Sequence, residues 1–421
     1  MFLFSAALFA SVLAVASLPS SLAQPPLNYT ELGDASVLFS GTLEVFAEDP
    51  SFKWFESPLW SEDGNFLLWS DVKWADEDGV TCGMIYKWDE TTQTLSKFIP
   101  CSGLIGPGEV RDDISSLVEA GGNGLYWGWN GTKDLIICQH GKSRIVRINI
   151  DDVGENGEID PSLVTVLVDS YNGTALNSPN DVTMHGEELY FTDPPFGVQT
   201  SSGLAGAFED LSQDIGVYVI RGDPGPNISV EPERIINFGD PGPDAPAAPN
   251  GIALNKKGDI FVAITDFEDP RFHVYKVNGA ELNLDALVLR SNYAINNNTQ
   301  GFPDLNDGVT YSPGLDIFFG AGPGGIYIYN GTTFELLGFL RVDDLVANNV
   351  LGGGYLWLAA NQRILRIPLS EFAAALTAGE EQGVTGPTRT STTPETPSSA
   401  RQISLTCLYL VAGSIFVAFI I

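Results

Sequence analysis

The sequence predicts an all-β protein, a six-bladed β-propeller in which the N-terminal strand closes the last blade. Three observations carry this reading. A unit built from a polar or Gly-rich opening, a short strand, a Gly- or Asn-containing turn and a second β-rich strand recurs six times. Copies roughly 40 to 70 residues apart, each worth about four strands, suit a fold in which no blade buries both of its faces alone. The 45 glycines and 26 prolines among 421 residues fit a turn-rich chain, and no stretch before SEFAAALTAG carries a sustained helical period.

In chain order the copies are ESPLWSEDGNFLLWSDV from Glu56, GGNGLYWGWNGTKDLIICQHG from Gly121, NSPNDVTMHGEELYFTD from Asn177, PNGIALNKKGDIFVAITD from Pro249, NDGVTYSPGLDIFFGAG from Asn306 and ANNVLGGGYLWLAA from Ala347. Most run into a further hairpin, as GMIYKWDETTQTLSKFI does after the first. The run SVLFSGTLEVFAED, residues 36–49, precedes the first blade and reads as the outer strand of the last, which removes an exposed sheet edge.

The ends speak for a destination. Residues 1–23 are apolar with small residues at Ser21 and Ala23, the pattern of a secretory signal cleaved after Ala23. Residues 24–376 form the propeller, and residues 377–402, with GVTGPTRTSTTPETPSSARQ, form a Ser/Thr/Pro-rich linker that cannot build a core. Residues 403–421 are apolar to the last position, which fits a GPI-attachment signal better than a retained transmembrane anchor. Sequons at Asn28, Asn130, Asn172, Asn227, Asn297 and Asn330 agree with passage through a glycosylating pathway. The expected location is the cell surface or the extracellular space, with the membrane engaged only through the C-terminal tail.

With 53 acidic and 21 basic residues the formal net charge is −32, a surface that repels phosphate backbones and argues against nucleic acid as a partner. Cys82 and Cys101 flank one hairpin and are expected to form a disulfide, leaving Cys138 as a buried free thiol and Cys407 in the tail. A monomer is expected.

In a propeller the innermost strand of every blade starts at one face, beside the central channel. Glu56, Asn123, Asn180, Asn250, Asp307 and Asn349 open those strands and therefore converge. Taken singly, Asn and Asp are ordinary turn formers. In register they make an all-oxygen cluster suited to Ca²⁺, with Zn²⁺ or Mg²⁺ as substitutes, and Glu56 and Asp307 balance its two charges.

ESPLW, SPNDV followed by YFTDPPFG, PNGIA, and DGV followed by GPGG resemble the blade openings of the gluconolactonase, senescence-marker-protein and luciferin-regenerating-enzyme family of six-bladed propellers, over residues 51–369. CQHGKSRIVR is similar to the second-blade segment of its microbial gluconolactonase branch. The resemblance implies a metal set of Glu56, Asn180, Asn250 and Asp307, with Asn180 also able to contact substrate. In related paraoxonases a histidine pair sits above calcium; Asn123 takes the place of the first and His140 resembles the second, so that dyad is incomplete here.

The implied chemistry is metal-assisted hydrolysis of a lactone or similar ester, with Asp307 as first candidate base and His140 as second. Asn180, Asn123, Asp193 and Phe196 are the candidate substrate contacts, the last two on loops that return to the same face, as Trp74 and Phe267 also do. His185 and His273 are expected to be structural. No G-x-S-x-G elbow supports a serine hydrolase. The alternative is a non-catalytic cell-surface propeller that holds calcium and binds a protein partner or glycan. A GPI-linked chain is expected to leave cells on treatment with phosphatidylinositol-specific phospholipase; release by detergent alone identifies a retained helix instead.

Overall fold

The computed structural model describes residues 31–33, 37–108, 114–200, 207, 211–225, 229–239, 247–279, 281–291 and 305–378. The signal segment, most of the linker and the apolar tail lie outside the described residues, as do Asn28, Asn227 and Asn297.

Six antiparallel sheets follow one another along the chain. Blade I is Phe55–Ser61, Phe66–Asp71, Met84–Asp89 and Thr94–Pro100. Blade II is Gly122–Gly128, Gly131–Gln139, Arg144–Asn149 and Thr165–Val168. Blade III is Val182–His185, Glu188–Asp193, Ile215–Ile220 and Glu233–Gly239. Blade IV is Ala247–Leu254, Ile260–Asp266, Arg271–Tyr275 and Leu287–Arg290. Blade V is Val309–Ser312, Ile317–Gly322, Gly325–Asn330 and Leu336–Arg341, and blade VI takes Val346–Gly352, Tyr355–Ala360 and Arg363–Pro368. The innermost strands touch their neighbours in sequence, and that of blade VI returns to that of blade I, so the ring is closed.

Closure comes from the N-terminal run: Glu44–Glu48 pairs antiparallel with Arg363–Pro368 as the outer strand of blade VI. Arg366 Nε donates to Glu44 Oε1 at 2.6 Å across this seam. An additional strand, Glu31–Gly33, lies on the outer edge of blade V beside Leu336–Arg341. The SEFAAALTAG segment forms the helix Glu371–Thr377, capped by Ser370 Oγ accepting from the Ala373 N–H.

The core lies between blades. Leu59 and Leu68 of blade I pack with Trp127 and Ile137 of blade II, and Phe261 and Val274 of blade IV pack with Phe318 and Tyr327 of blade V. Trp60 of blade I stacks on Trp357 of blade VI at 6.0 Å between centroids. Strands buried on both faces follow from this arrangement, and they explain why WFESPLW and NNVLGGGYLWLAA are apolar without strict alternation. Cys82 and Cys101 form the expected disulfide, and Cys138 is buried and free.

At the strand openings the blades meet backbone to backbone. The N–H of Gly124 donates to the Asn180 carbonyl at 2.8 Å, that of Gly251 to Asp307 at 3.2 Å and that of Gly308 to Ala347 at 2.6 Å. A side chain cannot fit: a Cβ on Gly251 would stand 2.4 Å from the Asp307 carbonyl oxygen. This is why PNG and NDG carry glycine directly after the opener. Gly251→Ala is expected to push blades IV and V apart and cost about 1–3 kcal/mol, the usual range for overpacking, read as a shift in the denaturant midpoint. An unshifted midpoint would mean that the openings are not in contact.

Candidate metal centre and active site

All six openers are buried: Glu56, Asn123, Asn180, Asn250, Asp307 and Asn349 are between 1% and 7% exposed. Hydroxyls on neighbouring strands hold several of their backbones. Ser70 Oγ donates to the Asn123 carbonyl at 2.9 Å, Thr192 Oγ1 to Asn250 at 2.7 Å and Thr310 Oγ1 to Asn349 at 2.6 Å.

Glu56 and Asp307 are both raised, and the charge of Asp307 acts on Glu56. Burial pushes the Glu56 carboxyl well above its usual range, and the charges of Asp307, Glu119 and Asp181 push it further. Burial also raises Asp307, followed by the charges of Asp181 and Glu119, while a side-chain hydrogen bond from Asn250 and the charge of Lys73 act the other way. Asp181 is raised to about 7, chiefly by burial, although its carboxylate accepts the Ile252 N–H at 3.0 Å. Three buried carboxylates, Glu56, Asp181 and Asp307, thus lie within reach of Glu119, which is paired with Lys73 at 2.9 Å.

Among the described residues, Asn306 Nδ2 beside Asp307, Asn349 Oδ1 and His140 Nε2 are buried without a hydrogen-bond partner, and Asn123 and Asn180 are each only 4% exposed. Buried polar groups are ordinarily paired. Excess buried negative charge beside unpartnered amides fits a hard divalent cation with oxygen ligands, and Glu56, Asn180, Asn250 and Asp307 are the residues that could hold one. Asn250 is oriented by its Nδ2 donating to Thr265 Oγ1 at 3.0 Å. Among the described residues, the one Cys-containing group, Asp76, Cys82 and Cys101 within 4.8 Å of one another, has both sulfurs tied in the disulfide.

His140 is fully buried and touches Glu119: its Nδ1 lies 3.0 Å from the Glu119 carbonyl oxygen, which makes Nδ1 the donor. Nε2 is then a bare lone pair, buried and without a partner. Burial lowers the imidazole pKa, against the raising influence of Glu119, and favours the neutral ring. The backbone of Gly197 presses against this ring, since a Cβ there would stand 2.2 Å from Cγ of His140.

Two expected substrate contacts take other roles. Asp193 is completely buried, and its oxygens accept the N–H groups of Asn177 and Ser178, both at 2.9 Å, so it shapes the loop leading to Asn180 rather than the rim. Phe196 packs with Ile215 and Ala248. Of the other aromatics, Phe267 is 44% exposed and Trp74 is partly buried in the core between blades VI and I. Asn349 spends Nδ2 on the Phe319 carbonyl and keeps a buried, unpaired Oδ1. His273 is tied to Arg271 and Tyr275, each at 3.2 Å, and His185 lies at the far end of its innermost strand.

Sequence reasoning missed Glu119, Lys73 and Asp181 as charges at the centre. Asp181 stands inside the quoted PND motif, and its twin charge was the available signal. Glu119 and Lys73 come from segments between recurring units, which the repeat pattern does not reach.

The raised carboxylates fix the sign of a pH effect. Asp181 binds a proton up to about pH 7 in the folded protein but only to about pH 4 when unfolded. The folded state therefore holds more protons between these values, and stability falls as pH rises through that window. Glu56 and Asp307 act in the same direction. In chelator, Tm is expected to fall from pH 4 to 7, with a shallower slope in Asp181→Asn; an identical slope in that variant would assign the effect to surface repulsion alone.

No protein-family model matches the chain. A gluconolactonase of Zymomonas mobilis is 27% identical over 354 residues, spanning 80% of this chain and 84% of that protein. Among solved structures, a gluconolactonase from Xanthomonas campestris superposes with a TM-score of 0.59 at 20% identity, covering 83% of this chain and 99% of that one. A luciferin-regenerating enzyme superposes with a TM-score of 0.53 at 12% identity, covering 79% and 98%. These structures share the propeller fold. The chain is thus similar in sequence to a gluconolactonase over 80% of its length and similar in fold to solved gluconolactonase and luciferin-regenerating-enzyme propellers.

Proposed function

We propose that the chain is a divalent-cation-dependent hydrolase of lactones or related carboxylic esters, with Ca²⁺ as the expected ion. The observation that carries the reading is the buried Glu56–Asp307 pair, two carboxylates raised by burial and by neighbouring negative charge, beside the buried Asn180. It is supported by the 27% identity to a gluconolactonase over 80% of the chain.

When bound, the cation would polarise the substrate carbonyl and stabilise the charge that develops on its oxygen. Glu56, Asn180, Asn250 and Asp307 would hold it. Asn123, 4% exposed, would hydrogen-bond a substrate oxygen or hydroxyl. Asp307 is the first candidate to accept the proton of the attacking water. His140 offers a neutral Nε2 lone pair as the second candidate. Aldonolactones, aromatic lactones and simple esters form the panel to assay. Stoichiometric calcium with no turnover on any of them would favour a silent, cation-holding propeller.

Asp307→Ala is expected to lose cation and activity together. His140→Gln is expected to keep the cation and lose only a few-fold in kcat. A His140→Gln protein that binds calcium normally but loses turnover on the order of 10²- to 10⁴-fold, the usual contribution of a general base, would move that role to His140.

A further inference from the structure

Glu56 is met from outside the ring by a small stack of side chains that the ligand set does not include. Trp54, two residues earlier, donates its indole Nε1–H to Glu56 Oε1 at 3.0 Å. Oε2 has no hydrogen-bond partner among the described residues. The Lys73 ammonium lies over the Trp54 ring, 4.3 Å from its centroid, and is held there by Glu119 at 2.9 Å. The backbone of Trp54 is fixed in turn. Its N–H donates to Asp71 Oδ1 and that of Lys53 to Asp71 Oδ2, both at 2.9 Å, while its carbonyl accepts the Val72 N–H at 3.0 Å. Asp71 is completely buried at the end of the second strand of blade I. An unbroken chain of contacts therefore runs from the frame of the blade to one oxygen of Glu56.

We propose that Trp54 is a positioning residue for Glu56: its N–H occupies Oε1, so that Oε2 is presented to the cation in one orientation. A carboxylate with one oxygen occupied binds through the other, and groups behind a ligand that fix its orientation are worth about 10- to 100-fold in metal affinity. Lys73 keeps the indole in place through its position over the ring, and its pairing with Glu119 holds the ammonium there. The proposal rests on the cation reading given above, but not on the identity of the substrate.

The test is calcium affinity by titration calorimetry on the full chain, alongside Tm in chelator. Trp54→Phe keeps an aromatic face under Lys73 and removes only the N–H. It is expected to weaken calcium about 10-fold with Tm in chelator unchanged. Trp54→Gln returns an amide N–H without the ring and is expected to bind more tightly than Trp54→Phe. Equal calcium affinity in Trp54→Phe and the unaltered protein overturns the proposal, as does Trp54→Gln binding no better than Trp54→Phe. Calcium binding that follows the expected order without turnover of any lactone would uphold the role of Trp54 and overturn the lactonase reading instead. If the unaltered protein binds no calcium, both fall.

Discussion

The structure depends on the close approach of the strand openings around the axis. Backbone N–H groups of Gly124, Gly251 and Gly308 reach the carbonyls of the next blade, and no Cβ fits at those glycines. Hydroxyls of Ser70, Thr192, Thr265 and Thr310 hold the carbonyls of Asn123, Asn250, Asn306 and Asn349. Each of these bonds contributes on the order of 1 kcal/mol net, and together they set the register at which the blades meet. Once that register is fixed, the opener side chains converge, because every innermost strand starts at the same level.

Convergence has an electrostatic cost. Burial raises Glu56, Asp307 and Asp181, the charges of Asp181 and Glu119 raise Glu56 and Asp307 further, and Lys73, paired with Glu119, acts the other way on Asp307. The inter-blade cores, built on residues such as Trp69, Trp127, Phe191 and Phe261, tolerate such a centre because they bury large side chains completely. A centre that opposes folding while empty, set in a frame stable enough to hold it, is the arrangement expected of a site built for a cation.

Much of this was legible in the sequence, because recurrence carries information that single residues do not. NG, NDG and PNG openings at regular spacing gave the blade count, the closing N-terminal strand and the ring of openers. Asp193 was misread for the same reason. Its TD ending matches SD at Asp71, and both aspartates accept two backbone N–H groups from the loop before an opener. A recurring aspartate at that position signals a loop anchor, which no single loop reveals. Phe196 follows a Pro-Pro pair that suggests an exposed turn, yet its ring finds apolar neighbours across the loop. Glu119, Lys73 and Trp54 lie outside the repeated pattern, and only the folded chain brings them to Glu56 and His140. The strand Glu31–Gly33 is too short for any period to announce.

The central claim is that the opener carboxylates and amides form one cation site on the propeller axis. The most direct measurement is a crystal structure of the protein grown with calcium, with the ion located by its anomalous signal. The account predicts one ion coordinated by Glu56, Asn180, Asn250 and Asp307 together, with Trp54 still donating to the second oxygen of Glu56. An ion bound elsewhere, or an axis where Glu56 and Asp307 share a proton with calcium in excess, would contradict it.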